Sequence, residues 1–113
     1  MSSAKVRQVD PLLVLLGNDS ERASEFVHCE LGPVIDTLGP RADRLLDTLQ
    51  AFLDHGQRIA NASAVTGRHR DTVHRHLREM EVLLDCRVEE RSAELQWALR
   101  LRLGLQDRDD SDG

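Results

Sequence analysis

Between residues 41 and 54 the apolar side chains Leu45, Leu46, Leu49, Phe52 and Leu53 fall at i, i+1, i+4, i+7 and i+8. A helix puts all five on one face and a strand scatters them over two. The core available to such a chain is made of leucine, because the aromatics are Phe26, Phe52 and Trp97 alone. Leucine favours helices, and sheets draw on β-branched and aromatic residues. The pattern therefore predicts an all-α fold, a small helical domain of about five to six helices. With 113 residues, 40% of them hydrophobic and 31% charged, the chain suits one domain with a real core.

The punctuation of the chain predicts where the other helices lie. Residues 1–8 read as a disordered lead-in and residues 9–40 as an N-terminal helical lead-in. In the latter, Asp10-Pro11 opens a short helix through LLVLL (Leu12 to Leu16), which Gly17 stops. Asn18-Asp19-Ser20 caps a second helix with Ala23, Phe26, Val27 and Leu31 on one face, ended by Gly32-Pro33. Pro33 to Leu38 reads as a further turn closed by Gly39-Pro40. The main domain spans residues 41–105. Its first helix, 41–54, stops at His55-Gly56. Next come a small-residue segment from Arg58 to Val65, a turn at Thr66-Gly67-Arg68, and a longer helix from His69 or Arg70 to about Asp85. Cys86 to Arg91 reads as a loop. Ser92 caps a last helix to about Leu103, with Glu94 in its first turn and Arg100 and Arg102 in its last, signs that suit the helix dipole. Residues 106–113 read as a disordered acidic tail.

A short helix, a tight glycine turn and a second helix with a basic start is the sequence shape of a helix-turn-helix. The charge supports it. From His55 to Arg78 there are five arginines (58, 68, 70, 75 and 78) against Asp71 alone, a net +4 in a chain of net −5, so the remainder carries −9. With Val73 at zero and about 100° per residue, Leu77, Met80 and Leu84 fall within about 40° and form the buried stripe. Asp71, Arg75 and Arg78 fall at about 140–200°, with His74 at the edge near 100°. A solvated charged helix normally interleaves acids with its bases, but here the next acids are Glu79 and Glu81. The segregated face is read as a recognition helix over about residues 70–84, set in the major groove of double-stranded DNA. The expected contacts are Arg58, Arg68, His69, Arg70, Asp71, Thr72, His74, Arg75 and Arg78. The rival reading is a protein-interaction module whose basic face meets an acidic partner.

Other chemistry is not legible. His74 and His76 point about 200° apart on a helix, so they share no metal ion. No nucleophile set and no phosphate loop is present, so no enzyme, cofactor, metal or small-molecule site is expected. His28 and Cys29 read as packing. Cys29 and Cys86 have no motif spacing and read as buried or half-buried thiols of a reducing cytoplasm. No apolar run has the length to span a membrane. Fourteen Arg to one Lys fits a GC-rich bacterial genome. In the last helix Leu95, Leu99 and Leu103 face one way and Trp97 and Leu101 nearly the opposite way. The second face needs another cover, either the N-terminal helices of the same chain or a second copy; a homodimer contact is the preferred expectation, with Trp97, Leu101, Leu12 and Leu15 in it.

The stretches LLDTLQAFLDHG and RDTVHRHLREMEVLLDCRVEERSAELQWALRLRL resemble the C-terminal helix-turn-helix domain of PucR/CdaR-type bacterial transcription regulators. That family shows an "hRNTVRYRLRRIEELLG" recognition helix and a closing "LALRLRL" helix. The resemblance covers about residues 41–104, and LLVLL and SEFVHCELGPV look like the family's lead-in. It implies transcriptional regulation, with Arg70, Asp71, Thr72, His74, Arg75, His76 and Arg78 on the DNA-facing helix and its edges. The chain departs from the pattern at Asp71 for Asn, and at His74-Arg75-His76 for Arg-Tyr-Arg. Asp71 is expected either to accept from cytosine or, preferably, to hold Arg75 at i+4. The family's small-xx-Leu pattern falls on Ala62 to Val65 with one extra turn residue, or on Ser63 to Thr66 without it. Val65 is the preferred core residue, since Thr66 would bury a hydroxyl.

Overall fold

A computed structural model describes residues 20–112, which are helical with no strand among them. The helices are α1 (Ser20–Leu38), α2 (Ala42–Asp54), α3 (Ile59–Thr66), α4 (Arg70–Leu84) and α5 (Ser92–Asp112). Short 3-10 turns, Gly39–Arg41 and Val88–Arg91, join α1 to α2 and α4 to α5. The short helix predicted from Pro11 to Leu16, with Leu12 and Leu15, lies outside the described residues.

The leucine face of α2 is the centre of the core: Leu45, Leu46, Leu49, Phe52 and Leu53 are all buried. α3, α4 and α5 pack on it, and α1 packs chiefly on α5. Val73, Leu77 and Met80 of α4 are buried as the stripe predicts, with Leu84 half-buried beside them.

Three boundaries differ from the sequence expectation. α1 does not end at Gly32-Pro33 but runs through Pro33 to Leu38. The stripe Ala23, Val27, Leu31, Val34 and Leu38 keeps helical phase across the proline, and Leu31 and Val34 are fully buried. A proline in a helix costs about 3 kcal/mol, and each fully buried Val or Leu returns about 1.5–3 kcal/mol. Tertiary burial thus overrides the local break. Second, Val88–Arg91 is a 3-10 turn rather than a loop, because Val88 is a buried core residue. The Val88 N–H donates to Glu81 Oε2 at 3.0 Å, which ties the turn back to α4. This turn runs straight into α5, so Ser92 has helical dihedrals and is not a cap.

Third, α5 continues to Asp112, past the expected stop near Leu103 and through the segment read as a disordered tail. No proline interrupts it, and the single Gly104 costs only about 1 kcal/mol. Arg100 and Arg102 therefore stand mid-helix. Arg102 pairs with Asp43 of α2, and the Arg100 guanidinium lies 5.5 Å from the centre of the Trp97 ring. Leu101 is only 7% exposed and belongs to the chain's own core, which corrects the expectation that it meets a second copy. Trp97 is half-buried within the chain.

Candidate nucleic-acid interface

The turn between α3 and α4 is built from three small residues. Gly67 takes φ 74°, a left-handed conformation that costs an L side chain energy, and its N–H donates to Ser63 O at 2.9 Å. The Ser63 hydroxyl donates to Arg68 O at 2.6 Å. The Thr66 hydroxyl donates to Ala62 O at 2.7 Å and accepts from the Arg68 N–H at 3.2 Å. These bonds fix the angle at which α4 leaves the turn. They also correct the register: Val65 is 56% exposed, Ala62 is the fully buried residue, and Thr66 is half-buried with its hydroxyl satisfied.

α4 begins at Arg70, with His69 as its N-cap. The His69 Nδ1 accepts from the Asp71 N–H at 3.1 Å, doing for this helix what a Ser or Asp cap usually does. Arg70, Asp71, His74, Arg75 and Arg78 are exposed, and Thr72 is half-buried. Asp71 does not hold Arg75. Its carboxylate lies 3.7 Å from His69 Nδ1, and no ion pair joins it to Arg75. The exposed line continues one turn further to Val82, which is 78% exposed. Sequence reasoning stopped the face at Arg78; the i+4 step to an apolar residue was the signal for its extension.

Four arginines of the described chain are held in ion pairs between elements, while Arg44, Arg87 and Arg100 make none. Arg41 holds Glu79 of α4 with one nitrogen 3.0 Å from both carboxylate oxygens. Arg91 holds Glu30 of α1 at 2.6 Å, a contact that pushes the Arg91 guanidinium pKa further up. Arg102 holds Asp43, and Arg68 holds Asp47 of α2 at 2.7 Å. Each pair ties two elements together. In contrast, Arg58, Arg70, Arg75 and Arg78 make no ion pair among the described residues. Arg58 sits at the N-cap of α3, at the end of that helix away from the Gly67 turn.

His76 turns away from this exposed face. Its Nδ1 lies 2.9 Å from the hydroxyl of Thr48, a fully buried residue of α2. Thr48 donates its proton to Arg44 O at 3.1 Å, so its oxygen accepts from a protonated Nδ1. The His76 pKa is lowered, first by burial and then by the charges of Arg68, Arg75 and Arg41, with Glu79 opposing. The sequence placed His76 at the edge of the DNA-facing helix and gave no sign of Thr48.

The thiols differ from expectation in one respect: Cys29 is exposed and Cys86 half-buried. Burial raises the Cys86 pKa. Among the described residues no group of His, Cys, Asp and Glu is placed to hold a metal ion. None of the described helices is long and apolar enough to cross a membrane.

Geometry of this kind has a family counterpart. The profile of the PucR C-terminal helix-turn-helix domain matches residues 45–101, about half of the chain. The chain belongs to that family. The match opens within α2 and closes within α5, so it takes in the turn, α4 and both core faces. No curated protein and no solved structure gives a significant match. The family points to a DNA-binding domain of a regulator.

Proposed function

We propose that the chain binds double-stranded DNA as part of a bacterial transcription regulator, with α4 in the major groove. The observation that carries this reading is the division of the arginines. Arg41, Arg68, Arg91 and Arg102 are spent on cross-element ion pairs, while Arg58, Arg70, Arg75 and Arg78 are exposed and make no ion pair among the described residues. A fork of guanidinium donors suits phosphate oxygens and the two acceptors of guanine. Arg70, Asp71, Thr72, His74 and Arg75, in the first turns of α4, are assigned to base edges and neighbouring phosphates. Arg58, Arg68, His69 and Arg78 are assigned to the backbone. Asp71, free of Arg75, is available to accept from cytosine.

One recognition helix reads only a few base pairs, so two copies on adjacent half-sites are proposed, a homodimer at least on DNA. Leu101 plays no part in that contact.

The test is fluorescence anisotropy of a labelled random-sequence duplex, titrated at two salt concentrations with wild type and Arg75→Ala/Arg78→Ala. Binding in the micromolar range that weakens steeply with salt and with the double substitution is expected. Arg78→Ala should weaken all sequences alike, and Arg75→Ala should also blur sequence preference. Failure to bind any duplex at low salt would overturn the reading and favour an acidic protein partner for the same face.

A further inference from the structure

Beside the exposed face of α4 the His76 ring lies in the field of three arginines, of which Arg75 also belongs to that face. The His76 Nδ1 is committed to buried Thr48, so its Nε2 points the opposite way, out of the α2–α4 seam. Nε2 makes no hydrogen bond, and no buried side-chain nitrogen is left unpartnered among the described residues, so solvent reaches it. The charged groups near the ring come from each element packed on it: Arg68 from the turn, Arg75 and Glu79 from α4, and Arg41 from the 3-10 turn before α2. Asp47 of α2 completes the set through Arg68. Both acids are already taken. Asp47 is held by Arg68, and Glu79 by Arg41. Arg75 alone is unbalanced.

We propose that Arg68 and His76, in the field of Arg75, form a seat for one DNA backbone phosphate, which binds together with a proton on the His76 ring. The inference rests on the DNA reading above and adds a condition to it. In the free chain the seat favours a neutral ring, because a charge there meets burial and three arginines. A phosphate oxyanion reverses that balance. It offers an acceptor to a protonated Nε2, and its charge offsets Arg75. Asp47 holds Arg68 in place while leaving most of its five donors for the anion. Since the complex binds one proton more than its parts, affinity rises as pH falls. His76 thus converts an ordinary phosphate contact into a pH-dependent one.

The experiment follows the imidazole NMR signals of the full chain through a pH titration, alone, with inorganic pyrophosphate, and with a random-sequence duplex. The His76 signal is assigned through its contact with Thr48, so the measurement needs no variant. Anisotropy of the same duplex at about pH 7.5 and about pH 5.5 is then compared for wild type and His76→Gln, the two conditions lying on either side of an ordinary histidine pKa. A rise of about one unit in the His76 pKa on the duplex is expected, with binding tighter at the lower pH by at most about tenfold, a gain that His76→Gln largely loses. Duplex binding that leaves the His76 pKa unmoved, with the pH dependence intact in His76→Gln, would overturn the seat and leave the DNA reading standing. A His76 pKa raised by pyrophosphate, with no duplex binding at either pH, would keep the anion seat and remove the DNA reading. No response to either anion would remove both.

Discussion

Gly67 and His76 each do one thing that no neighbour can. Gly67 holds φ 74° at the turn, and a Cβ there would meet nothing within 4 Å. The cost of Gly67→Ala is therefore backbone strain without a clash, about 1–2 kcal/mol. Urea unfolding should show that loss, while the folded fraction keeps its shape. His76 sets a pH dependence of stability whose sign follows from its environment. Its folded pKa is lowered below the ordinary 6.5. The unfolded chain therefore takes up the proton first. The stability contributed by neutral His76 is full above about pH 6.5 and is lost as pH falls through the folded value. Acid thus weakens the free fold by the same protonation that DNA phosphate would reward. Unfolding of wild type and His76→Gln at neutral and mildly acidic pH should show a shallower acid loss in the variant.

At the scale of the element, α2 and α4 were legible in the sequence because both are long amphipaths whose buried residues recur with helical period. α3 was only half legible. It has eight residues, mostly small, and its side chains give no strong stripe. The choice between Val65 and Thr66 as the inward residue was decided by a rule about buried hydroxyls. The structure answers that rule locally: Thr66 bonds to Ala62 O one turn back and also takes the Arg68 N–H, so its hydroxyl is not orphaned. Pro33 in α1 was misleading for the converse reason, since a strong local signal was overridden by burial that only the fold supplies. The pairing of His76 with Thr48, 28 positions apart, has no local signature at all. The register of α3 gives a direct comparison. Val65→Ser should stay within about 0.5 kcal/mol of wild type because its side chain meets water. Thr66→Val should lose about 1–2 kcal/mol, since the Arg68 N–H loses its acceptor and the turn loosens. Denaturant midpoints of the two variants check the register, and the reverse order would restore Val65 to the core.

Over the whole molecule, a net charge of −5 leaves DNA affinity to the placement of charge rather than its total. The fold enforces that placement by spending Arg41, Arg68, Arg91 and Arg102 on acids of neighbouring elements. Arg91 and Arg78 thus carry the same formal charge and differ in what already holds it. If DNA binding follows local placement, the slope of log affinity against log salt should be about −4, near −0.9 for each of Arg58, Arg70, Arg75 and Arg78, the arginines without an ion pair on the helix-turn-helix. Arg75→Ala/Arg78→Ala should bring that slope up by about two units. Arg91→Ala changes the net charge by one in the same direction, yet it should leave the slope unaltered. Its effect should fall on stability, at about 1 kcal/mol, because Glu30 of α1 loses its partner. Parallel salt titrations and urea unfolding of the two variants separate these outcomes. A slope that moved equally per arginine removed, whichever arginine it was, would mean that the duplex senses the whole molecule's charge and that the paired and unpaired sets are not distinct.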